Sequence, residues 1–66
     1  MSYMQAKNWA KKNGSAVSVV IIDAKWNHHN FLYAKEMFPN TSFEMFVSKH
    51  WSKYGDREAD IRFSAA

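Results

Sequence analysis

The sequence predicts an α+β fold in a single domain spanning residues 1–66, with the order α-β-α-α-β around a short antiparallel two-stranded sheet. Three observations carry this expectation. Residues 42–54 repeat large side chains at helical intervals, Ala59–Ala65 alternates apolar with polar residues, and Ala16–Ile22 is rich in β-branched residues.

The first helix is predicted from Ser2 to Asn13. Ser2 is a suitable N-cap and Gly14 a suitable left-handed terminator, while Tyr3, Ala6 and Ala10 share one face. Val17–Ile22 follows as a strand that is apolar on both faces and therefore wants cover on both. Helical spacing of Val17, Val20, Ile21 and Ala24 keeps a helix as the alternative for this short run.

A second helix is expected over Asn30–Phe38, capped by Asn27 or Asn30 and stopped by Pro39, with Phe31, Ala34 and Phe38 on one face. The third helix, Ser42–Tyr54, is the clearest element. Thr41 and Glu44 have capping-box spacing, Phe43, Phe46, Val47, His50, Trp51 and Tyr54 recur at helical intervals, and Gly55 ends the run. Ala59–Phe63 closes the chain as a strand with Ile61 and Phe63 on its dry face. The two helices between the strands reverse the chain twice, so antiparallel pairing is the simplest closure. The middle of the chain resembles part of a winged helix-turn-helix in element order. Asn30–Phe38 would support, Pro39-Asn40-Thr41 would turn, Ser42–Tyr54 would recognise, and Ala59–Phe63 would begin a wing. The same elements also suit a helix hairpin packed on the sheet.

Composition bounds the function. Sixty-six residues leave a thin stability margin, which three Trp, five Phe, three Tyr and four Met offset with large buried areas. The absence of cysteine excludes a disulfide scaffold and thiolate metal sites. The longest apolar run is far below the ~20 residues of a membrane span, so a cytoplasmic location without membrane contact is the default expectation. No serine sits in a nucleophile motif, and two glycines cannot form a phosphate loop, so no enzyme activity and no cofactor are predicted. His28 and His29 are adjacent and diverge, and His50 lies on an apolar helix face. All three read as structural rather than metal-binding.

Charge and aromatic content point to binding. The net charge is +3, and the first 14 residues hold Lys7, Lys11 and Lys12 with no acid. Lysines interleave with aromatics again at Lys49, Trp51, Lys53 and Tyr54. Phosphates attract cations and bases stack on aromatic faces, so Lys7, Lys11, Lys12, Lys49 and Lys53 form a candidate nucleic-acid surface for a small DNA-binding regulator. Against it, the third helix lacks the arginine that most often reads guanine, and Glu44 would repel phosphate. The alternative is a protein-binding module, an inhibitor or adaptor docking on a larger machine. Eleven aromatics and four methionines exceed what five short elements readily bury, and Met45, Trp9 and Trp26 are its candidate contacts. A homodimer would also cover such an excess.

Overall fold

The computed structural model describes residues 1–66. The elements are α1 (Tyr3–Ala10), β1 (Ala16–Ile22), β2 (His28–Ala34), α2 (Phe43–Tyr54) and β3 (Asp60–Ala65). The order is therefore α-β-β-α-β, and the sheet has three strands rather than two, in the order β2-β1-β3 with both pairings antiparallel. The α+β class stands, and the expected Asn30–Phe38 helix is replaced by β2. With β2 in place of the expected supporting helix, the helix-turn-helix over residues 30–54 does not form. Neither helix is long and apolar enough to cross a membrane.

The register explains why residues 28–34 choose a strand. His29, Phe31 and Tyr33 stand opposite Ile21, Val19 and Val17, and across the other ladder Ile61 and Phe63 stand opposite Ile21 and Val19. Successive strand residues point to opposite faces, so all these side chains share one face. Both helices cover it: Ala6 and Ala10 of α1 and Phe43 and Phe46 of α2 join Val17, Val19, Tyr33 and Phe63 in one buried cluster. Val17, Val19 and Ile21 are completely buried. Each such side chain contributes about 1.5–3 kcal/mol on leaving water. A helix over 30–38 would unite Phe31, Ala34 and Phe38 but would forfeit this pairing.

The opposite face, carrying Ser18, Val20, Asn30, Leu32, Arg62 and Ser64, receives no helix. The cover expected on both sides of β1 is therefore present on one side only, and Leu32 is 45% exposed.

Caps and turns fix the ends. Ser2 forms a reciprocal box with Gln5: its Oγ accepts from Gln5 N (3.1 Å), and Gln5 Oε1 accepts from Ser2 N (2.8 Å). The helix stops at Ala10, earlier than Asn13, because residues 11–14 form a turn closed by Ser15 N donating to Lys12 O (3.2 Å). Gly14 takes a φ of +72° there. At α2 the cap is Ser42, whose Oγ accepts from Met45 N (3.2 Å). The expected Thr41–Glu44 box does not form, because the helix is capped one residue later by Ser42 and the Glu44 carboxylate pairs with Lys7. Gly55 ends α2 by close approach rather than by a left-handed φ. A Cβ there would lie 2.7 Å from the Trp51 ring and 2.8 Å from the Trp51 carbonyl oxygen.

Candidate functional site

The turn between β1 and β2, residues 23–27, is organised by one carboxylate. Asp23 Oδ1 accepts from the backbone N–H groups of Lys25 and Asn27, each at 2.9 Å, and Oδ2 accepts from His29 Nε2 at 3.0 Å. Main-chain bonds from Trp26 N to Asp23 O (2.9 Å) and from Asp23 N to Asn27 O (3.0 Å) close the same loop. The His29 hydrogen bond, seconded by the Asn27 amide, holds the Asp23 carboxyl down at about 2. Asp56, in the α2–β3 connection, braces the tip from outside by accepting from Ala24 N (3.3 Å). His29 is itself stacked on Tyr54, with ring centroids 4.7 Å apart, which ties the tip to the end of α2.

This hydrogen-bonded loop presents Trp26. Its backbone has a φ of +66°, a region that bulky residues rarely enter, and no other non-glycine residue of the chain has a positive φ. Its side chain is 79% exposed, the most exposed of the large apolar residues. Beside it lies a shallow cavity of about 300 Å³ lined by Ile22, Ala24, Asp23, Glu58, Asp60 and Arg62. Three carboxylates and one guanidinium, itself 3.2 Å from Asp60, share this lining with Ile22, Ala24 and Trp26, so the surface is mixed and carries more acid than base.

The five expected lysines do not act as one group. Lys7 bridges the helices, with Nζ 2.9 Å from Glu44 Oε1. That hydrogen bond raises the Lys7 pKa and lowers that of Glu44. Lys11 borders a cavity between α1 and the β2–α2 connection, together with Lys7 and Lys35. Lys12 lies over the Trp9 ring, 5.0 Å from its centroid. Lys49 and Lys53 are exposed on α2 and border neither cavity, and Lys53 lies 5.3 Å from the Tyr54 ring centroid.

The three residues expected to contact protein also divide. Trp9 is half-buried against the core and its Nε1 donates to Ala16 O (3.0 Å), so it anchors α1 to the sheet and is not a free contact. Met45 is 60% exposed at the rim of the Lys11 cavity, and Trp26 stands alone at the far end of the hairpin. His50 Nδ1 donates to Phe46 O (2.8 Å) beneath Phe31, a half-buried structural position. Nowhere do three metal-ligating side chains converge.

Sequence reasoning passed over Asp23 as loop organiser and Lys35 as a cavity residue. The signal for the first was present: Asp and Asn flank a short polar stretch between two apolar runs, which is the chemistry of an Asx turn. Lys35 was hidden by its place in an expected helix. The chain matches no protein-family model, no curated protein and no solved structure.

Proposed function

We propose that this chain is a non-enzymatic protein-binding module that docks on a larger partner through its hairpin tip, with Trp26 as the anchor. The observation that carries the reading is a tryptophan at positive φ and 79% exposed on a loop hydrogen-bonded to Asp23 and Asp56. Backbone strain of this kind costs about 1–3 kcal/mol and persists where surroundings enforce it, often at ligand clamps. Tryptophan is enriched among residues that dominate interface energy, and a loop already held by hydrogen bonds lowers the entropy lost on docking. The acidic excess from Asp23, Glu58 and Asp60 favours a partner with an apolar notch bordered by basic side chains.

The test compares the wild-type chain with Trp26→Ala as baits in nuclease-treated extract. A partner retained by the wild type and lost with the folded variant supports the reading. Identical captured sets from the two baits overturn it.

Nucleic-acid binding is the second reading. It is favoured by Lys11, Lys12, Lys49 and Lys53, which are exposed and have no carboxylate within ion-pair distance. Lys7, committed to Glu44, contributes less. A gel-shift titration at low salt tests it. Absence of any complex with duplex or single strand removes it, as does binding that ignores salt.

A further inference from the structure

The other cavity, at the opposite end of the hairpin from Trp26, has a different chemistry. It encloses about 410 Å³ between α1 and the segment joining β2 to α2, within the size range of small-molecule sites. Its charged lining is Lys7 and Lys11 from α1, Lys35 just beyond β2, and Glu44 from α2. Glu44 is occupied by Lys7 at 2.9 Å, which leaves Lys11 and Lys35 as two ammonium groups without a carboxylate partner. Its apolar wall is aromatic. Tyr33 and Phe38 stack with centroids 5.9 Å apart and planes only 10° apart, and Pro39 and Met45 border the same space. Tyr33 is buried, its ring packed by Phe38, Phe43 and Phe46 and its hydroxyl engaged by Thr41 O, so the accessible apolar surface of the cavity is that of Phe38, Pro39 and Met45.

We infer that this cavity binds a small molecule in which a flat ring carries a phosphomonoester. A phosphomonoester bears about −1.5 to −2 charge at neutral pH, which matches two uncompensated lysines, and lysine binds phosphate as a point charge without needing a fork geometry. The ring lies against Phe38, flanked by Pro39 and Met45, where offset or edge stacking is favourable. Inorganic phosphate satisfies only the lysines, and an uncharged ring only the wall. Retention of both parts is what the site selects.

The experiment is an amide chemical-shift titration of the whole chain at low salt with phenyl phosphate, a nucleoside 5′-monophosphate, phenol and inorganic phosphate. Saturable shifts are expected at Lys11, Lys35, Phe38 and Met45 with at least one ring phosphate. Phenol and inorganic phosphate should each bind about tenfold more weakly. The better of the two ring phosphates identifies the source as a simple aryl ester or a nucleotide. Lys11→Gln and Lys35→Gln, both at exposed positions, should each weaken binding about fivefold to tenfold while the remaining spectrum is preserved. Inorganic phosphate binding as well as the ring phosphates overturns the proposal. So do shifts that spread over Lys49 and Lys53, or affinities untouched by the two substitutions. The Trp26 tip is not part of this site, so either result leaves that reading where it stands.

Discussion

Asp23 and His29 face each other at 3.0 Å across the base of the hairpin turn, and the same carboxylate holds two backbone amides of the loop with its other oxygen. A folded-state pKa of about 2 against an ordinary 3.8 means that the unfolded chain binds the proton more readily. The contribution to stability is therefore complete above about pH 4 and disappears as pH falls towards 2. Glu36 and Glu44 are also held below the usual carboxylate range, by the Gly14 amide and by Lys7, so the wild type loses stability in acid for several reasons. Asp23→Asn isolates one of them. Urea midpoints of the two proteins should differ at about pH 5, and the gap should close between pH 4 and 2. A gap independent of pH would show that the carboxylate charge is irrelevant.

Trp26→Gly separates stability from binding. Glycine enters the left-handed region freely, which relieves about 1–2 kcal/mol of strain. It adds unfolded-state entropy that takes back about 0.5–1 kcal/mol. Little packing is lost, because the indole is mostly exposed. The melting temperature should hold or rise by a few degrees while partner binding is lost. A drop in stability would mean that the indole supports the fold.

Gly55→Ala should do the reverse. The added methyl meets the Trp51 ring at 2.7 Å and the Trp51 carbonyl at 2.8 Å. Moving the ring relieves only the first clash, so the end of α2 must shift, at a cost of about 1–3 kcal/mol. Chemical denaturation of this variant and of the Gly55→Ala, Trp51→Ala pair checks the account. The pair should remain less stable than Trp51→Ala alone, since the backbone clash persists.

Two adjacent hydroxyl residues make a sharper test of the start of α2. Ser42→Ala removes the oxygen that accepts from Met45 N and should cost about 1 kcal/mol. Thr41→Ala leaves the carbonyl that Tyr33 uses and should cost little. Helical signal against urea for the two variants decides between the caps, and the opposite ranking would restore the Thr41–Glu44 box.

The elements that were legible in the sequence owe their form to local chemistry. Ser2 opens α1, the β-branched run makes β1, the repeat from Phe43 to Tyr54 makes α2, and the alternation around Ile61 and Phe63 makes β3. Residues 28–34 were misread because Phe31, Ala34 and Phe38 are spaced as on a helix, while the decisive pairing of Phe31 and Tyr33 with Val19 and Val17 is a relation between segments. Pro39 lies beyond the end of either element, five residues past Ala34, and could not arbitrate. The candidate sites were legible only in part. Trp26 was singled out, but its exposure depends on a turn whose ends are joined by Asp23. The Lys7–Glu44 contact removes one cation from an expected surface, and nothing near Lys7 in the chain announces it.

The central place of β1 sets an order of events in time. Its ladder with β2 needs only the five residues of the turn to close, whereas its ladder with β3 must wait until everything from Asp23 to Ala59 has been gathered in. Local closure is fast and long closure is slow, so the hairpin carrying Trp26 matures first and β3 docks onto it last, after α2 has formed. In pulse-labelled refolding, β2 amides should gain protection from exchange before those of β3.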